Sequence, residues 1–269
     1  MLRHLTKIPG FRRAWSALRL GSVPLRTAYD IWDRPAYAYG IYQAANLARG
    51  LGLPGVTAIE FGVAGGNGLL SMERIAGEVG RHFGVDVAVF GFDTGTGMPA
   101  PRDYRDLPHV WEQGFYRMEA DKLRARLRTA RLVLGDVAET IPDFLGTARL
   151  PPIGFIAFDL DYYSSTKSAF RIFDGGADTR LPRVYCYFDD ITWPEHACHN
   201  EYVGELCAIR EFNQEHAEVK ITPIQNLAWM RPHPARWNDQ LFVLHDFRHP
   251  LYTKLITPPG DYYRQMKLR

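Results

Sequence analysis

The chain has little cysteine and almost no surplus of charge. Cys186, Cys198 and Cys207 are its 3 cysteines in 269 residues. An odd number without CxxC spacing argues against a disulfide framework and fits a reducing compartment. Lys and Arg total 32 against 30 Asp and Glu, so no whole-chain surplus marks a binder of polyanions, and no nucleic-acid partner is expected. No apolar run approaches the ~20 residues that a membrane span requires. The start, Met1-Leu2-Arg3-His4-Leu5, has basic residues but lacks the apolar stretch and small-residue cleavage site of a secretory leader. The expected setting is cytoplasmic.

What is present suits one sizeable α/β domain with decorations, since 46% of the residues are hydrophobic and 13% aromatic. Its organising stretch is Thr57-Ala58-Ile59-Glu60-Phe61-Gly62-Val63-Ala64-Gly65-Gly66-Asn67-Gly68. A β-branched and apolar run reaches an acid, a glycine-rich turn follows, and helical spacing begins at Leu69. Gly62, Gly65 and Gly66 permit positive φ and bring bare backbone close to a ligand, with free N–H groups of the helix start facing the same space. The spacing E-x-G-x-x-G-G differs from the G-x-G-x-x-G of dinucleotide folds. An acid ahead of the first glycine can hold a cationic amino group, such as the one on the methionyl part of S-adenosylmethionine. Close backbone packing is the plainer reading of the same glycines.

Four further strands end in acids. Val85 to Asp93 places Asp93 beside the glycine turn, where it can accept from both ribose hydroxyls or cap the turn Thr94-Gly95-Thr96-Gly97. Ala130 to Val137 delivers Asp136, which can accept from an adenine amine, with Val137 offering its N–H, or can cap the following helix. The apolar run Pro152 to Phe158 reads as a central strand covered on both faces and delivers Asp159 and Asp161. Val184 to Phe188 delivers Asp189 and Asp190. Carboxylates crowded at two strand ends raise one another's pKa or recruit a cation, and an oxygen-only set favours Mg²⁺. Helix capping by Asp161 and a solvated turn at Asp189-Asp190 are the alternative.

The remaining segments frame this edge. Phe11 to Leu20 has the spacing of a basic amphipathic helix, laid on the domain, a second copy or a membrane surface. Pro35 to Gly50 is a cover helix. Residues 98–118, rich in proline and aromatics, read as a lid or acceptor-binding loop, followed by a charged helix through Leu123, Leu127 and Arg131. A helix is expected from about Thr166 to Phe173. Trp193 to Asn200, with His196, Cys198 and His199, matches no compact zinc motif and reads as an acceptor-site loop. A helix over 201–216 precedes two late strands, Val219 to Ile224 and Gln240 to Phe247, that fit a terminal hairpin.

Together these motifs resemble the class I S-adenosylmethionine-dependent methyltransferases. More narrowly, Glu60 to Gly66, Phe90-Gly91-Phe92-Asp93-Thr94, Gly135-Asp136-Val137, Asp159-Leu160-Asp161-Tyr162-Tyr163 and Phe188-Asp189-Asp190 are similar to the macrocin O-methyltransferase family, in the same order along the chain. The resemblance implies an α/β, doubly wound, mostly parallel seven-stranded sheet with an N-terminal helical extension. It divides the chain into an extension (1–35), a methyltransferase domain (36–250) and a tail (251–269). Glu60, Gly62, Gly65 and Gly66 would hold the methionyl end, Asp93 the ribose, and Asp136 with Val137 the adenine, with Thr94 also in the cofactor site. Asp159, Asp189 and Asp190 would bind Mg²⁺, and Asp159 or Asp161 would take the acceptor's proton. Catechol-type relatives carry a lysine base shortly after the first metal acid, whereas Tyr162 and Tyr163 stand there in this chain and Lys167 comes later. The acceptor would be a hydroxyl of a sugar, glycan or secondary metabolite, and the N-terminal helix offers a contact for a homo-oligomer. The competing readings are an NAD(P)-binding, sugar-modifying oxidoreductase and a non-catalytic nucleotide-binding module.

Overall fold

The computed structural model describes residues 10–18, 20–147 and 150–257. The basic start through residue 9 and the tail from residue 258 lie outside the described residues. Seven strands form one sheet: β1 (Gly55–Phe61), β2 (Asp86–Asp93), β3 (Arg131–Leu134), β4 (Ile153–Phe158), β5 (Arg180–Phe188), β6 (Val219–Pro223) and β7 (Leu241–Asp246). Their spatial order is β3-β2-β1-β4-β5-β7-β6. The first five are parallel, and β7 runs antiparallel to both β5 and β6. The expected late hairpin therefore completes the sheet, and the doubly wound, mostly parallel, seven-stranded architecture is the observed one.

Alternation along the strands divides the core in two. In β1, Val56 and Ala58 face one side, with the helices α3 (Pro35–Leu51) and α4 (Asn67–Phe83), while Ile59 and Phe61 join the core on the other side. Small residues let α3 lie close to the sheet. A Cβ at Gly40 would come within 2.2 Å of the Phe155 ring. The opposite face is covered by α6 (Val137–Thr147), α7 (Tyr163–Ala169) and α8 (Gly204–Glu215).

Register at the carboxyl edge is set by phenylalanines. Phe61 pairs with Phe92 on β2 and with Phe158 on β4, and Phe158 pairs with Phe188 on β5. Their ring centroids are 5.0, 5.6 and 4.8 Å apart in that order across the sheet. Each ring is buried, so a slip of one residue would carry the whole row to the wrong face. The next residue on each strand is thereby fixed at the edge: Asp93, Gly62, Asp159 and Asp189.

Some elements differ from expectation. The charged helix shrinks to α5 (Ala120–Arg124), because Glu73 on α4 accepts from the N–H groups of Arg128, Thr129 and Ala130 and draws the chain out toward β3. β3 stops at Leu134, since Asp136 turns to cap α6. The helix expected from Thr166 begins at Tyr163 and tightens to 3₁₀ geometry from Phe170. At the N-terminal end, α1 (Phe11–Leu18) lays Trp15 6.1 Å from Tyr29, centroid to centroid. The segment after it, with α2 (Val23–Ala28), packs on the domain: Arg26 pairs with Glu78, Asp33 with Arg74, and Asp30 with Arg231.

Candidate active site

Glu60 is the last residue of β1 on the α3 face, and burial leaves it 1% exposed. Its Oε1 accepts from the Tyr37 hydroxyl of α3 at 2.7 Å. It also lies beneath the first turn of α4, where a Cβ on Gly68 would fall 1.9 Å from Oε1, a placement that the helix dipole favours for an anion. Its Oε2 has no partner. Burial, with Asp93 and Asp189 adding repulsion, raises its carboxyl to about 7. A buried carboxylate oxygen without a donor is costly in the free protein, and a cationic amino group is what would satisfy it.

The glycine turn brings β1 and β4 into near contact. Gly62 has φ +84° and a Cβ there would lie 1.7 Å from the Asp159 carbonyl oxygen. Gly66, also at positive φ, starts α4. Gly65 faces open space, with nothing within 4 Å of its ideal Cβ.

Asp93 braces this turn from β2. Its Oδ2 accepts from Val63 N at 3.0 Å and Ala64 N at 2.9 Å, and its Oδ1 from Gly95 N at 2.6 Å. Capping of the turn is therefore realised, and of about four acceptor sites on a carboxylate, one on Oδ1 stays open to a ligand. Asp136 likewise caps α6, its Oδ1 accepting from Ala138 N at 2.8 Å. Both carboxylates line a cavity of about 310 Å³ together with Gly62, Thr94, Val137 and Asp159. Glu60, Gly65 and Gly66 are not on that wall: Glu60 is buried beneath the first turn of α4, and Gly65 is exposed.

Asp159, Asp161, Asp189 and Asp190 line the same cavity. Ligand oxygens of Asp159, Asp189 and Asp190 all lie within 4.8 Å of one another, and this is the metal-capable group found among the described residues. Asp161 adopts φ +58°, and its N–H donates to Asp190 Oδ2 at 2.9 Å. Burial first, then repulsion from Asp190 and Asp189, holds Asp159 well above the usual carboxylate range; burial and Asp161 do the same to Asp190. Burial and Asp159 raise Asp161 to about 7. An all-oxygen set whose members repel one another fits a hard divalent cation, which offsets that repulsion.

Several residues of this edge carry no signal in the sequence. Glu205, at the start of α8, is fully buried behind the acids, its Oε2 accepting from Asp190 N at 3.2 Å while Oε1 has no partner. The Tyr187 hydroxyl donates to Asp189. Arg34 and Tyr37, at the start of α3, face Glu60. Glu205 falls in the first turn of its helix, where acids are common, so its sequence position does not set it apart.

The 98–118 segment is held rather than loose. Asp106, fully buried, accepts from Ser164 N and Ser164 Oγ at 2.8 Å each, and from Arg102 N at 2.8 Å. Trp111 and Tyr116 of this segment and Trp193 opposite line the cavity. Lys167 is turned away on the surface, its Nζ 2.6 Å from Glu215. His199 Nε2 lies 3.1 Å from the Trp193 carbonyl, so it serves the loop.

No protein-family model and no curated protein matches the chain. Solved structures do. The calicheamicin methyltransferase CalS11 is 24% identical with a TM-score of 0.50, over 76% of this chain and 77% of that one. The O-methyltransferase NovP is 17% identical with a TM-score of 0.51, over 80% and 81%. These likenesses, with the strand order and the antiparallel β7, define the fold as the Rossmann-like fold of class I methyltransferases. No described helix is long and apolar enough to cross a membrane.

Proposed function

We propose that this protein is an S-adenosylmethionine-dependent O-methyltransferase of the macrocin type, dependent on Mg²⁺ and acting on a hydroxyl of a sugar, glycan or secondary metabolite. One observation carries the reading. Glu60 with its unpartnered oxygen and the Asp159, Asp189 and Asp190 triad stand at adjoining strand ends of one edge, with Asp93 on the next strand. A donor with an ammonium group and a divalent ion would therefore share one site.

The cofactors supply an electrophilic methyl group and a Lewis acid that makes an acceptor hydroxyl more acidic. The chain supplies the rest. Glu60 takes the amino group, the remaining Oδ1 site of Asp93 takes a ribose hydroxyl, and Val137 with Asp136 bounds the adenine end. Asp159, Asp189 and Asp190 hold the ion. Asp161, which lines the same cavity as these acids, is placed to accept the proton of the acceptor hydroxyl. Trp111, Tyr116 and Trp193 offer flat apolar faces for a ring-bearing acceptor and exclude water. Because methyl transfer is an in-line displacement, most of the rate comes from alignment of the two reactants.

Titration calorimetry with S-adenosylhomocysteine and with NAD tests the reading. Binding of the first alone is expected, and chelation should spare much of it while abolishing transfer. Binding of NAD alone would favour the oxidoreductase reading and sink this one.

A further inference from the structure

Arg34 directly precedes α3 and reaches the edge where β1, β4 and β5 end. Its guanidinium carbon lies 5.5 Å from the centre of the Tyr37 ring, and the Tyr37 hydroxyl donates to Glu60. The cation faces Glu60, Asp159 and Asp189, and it favours the charged forms of the first two. Yet the half-buried Arg34 side chain makes no ion pair and no hydrogen bond among the described residues. A guanidinium presents five N–H donors in a planar fork, and none is spent on the protein here. Glu60 is its counterpart, with Oε2 buried and lacking a donor.

A free donor fork beside a free acceptor complements a carboxylate and an ammonium on one carbon, which is the end of an α-amino acid. We infer that Arg34 binds the α-carboxylate of the methionyl end of S-adenosylmethionine while Glu60 takes its α-ammonium; this rests on the function proposed above. Charge explains the need for a cation at this point. A carboxylate arriving at the edge meets Glu60, Asp159 and Asp189, and is repelled unless a positive group accompanies it. Arginine does so while permanently charged and through two parallel hydrogen bonds.

Calorimetry with S-adenosylhomocysteine and with its decarboxylated analogue, which keeps the ammonium and lacks the carboxylate, separates this contact from a structural role. Arg34→Gln should weaken S-adenosylhomocysteine binding roughly ten- to a hundredfold, the span of one charge-assisted pair. The analogue should bind the variant as well as it binds the wild type or more tightly, because a cation that repels its ammonium has gone. Arg34→Lys keeps the charge without the fork and should fall between; it decides the matter if the glutamine variant does not fold. Parallel loss for both ligands in a folded variant, or loss for neither, overturns the inference. Failure of the wild-type chain to bind S-adenosylhomocysteine would overturn the proposed function itself, and is a separate outcome.

Discussion

At the scale of single residues, the glycines of the first turn do different work, and substitution separates them. Gly62 combines φ +84° with a carbonyl oxygen 1.7 Å from where a Cβ would sit. Gly62→Ala should therefore cost about 2–4 kcal/mol of folding stability, from backbone strain and overpacking together. Gly65 has neither constraint. Gly65→Ala should leave the denaturation midpoint nearly unchanged and weaken S-adenosylhomocysteine binding, since the function proposed here runs the methionyl end along this turn. Equal stability losses in the two variants would contradict this division. The acids at this edge are legible in the sequence because each ends an apolar run. What the sequence does not reveal is how many bonds each carboxylate already makes. Asp93 reads as a ribose ligand or a turn cap, and the cap takes three of its sites.

At the scale of elements, β1, β4, β5 and α8 together bury Glu60, Asp159, Asp190 and Glu205, each raised above its ordinary pKa, first of all by burial. Glu60 illustrates the sign of the effect. Its carboxyl moves from 4.5 to about 7 on folding, so between those values the folded chain holds a proton that the unfolded chain releases. Stability then falls as pH rises through that window and levels off above it. The gap corresponds to about 3 kcal/mol. Urea midpoints of the ligand-free protein should decline from pH 5 to pH 8, and Glu60→Gln should make the decline shallower. An unchanged slope in the variant would show that the carboxyl is ionised throughout. Strands and their order follow from apolar runs that any reader of the sequence can find. Helix lengths do not, because the end of α5 is decided by Glu73, a residue on a different helix that is 55 positions from Arg128. Arg34 escapes notice for the same reason: only the packing of α3 on the sheet brings it to the strand ends.

At the scale of the whole molecule, the phenylalanine row across β2, β1, β4 and β5 turns a hydrophobic register into a chemical one. It sets one acid or glycine per strand along a single edge, and the pinned 98–118 segment closes that edge into a cavity. Donor and ion can then share one chamber, which is the central claim. Crystals soaked with S-adenosylhomocysteine and Mn²⁺, in place of Mg²⁺, test it through the anomalous signal of manganese. The expected result is one manganese peak ligated by Asp159, Asp189 and Asp190, with the S-adenosylhomocysteine sulfur in the same cavity and its amino group at Glu60. A manganese peak elsewhere, or an S-adenosylhomocysteine molecule bound away from these strand ends, would contradict the account.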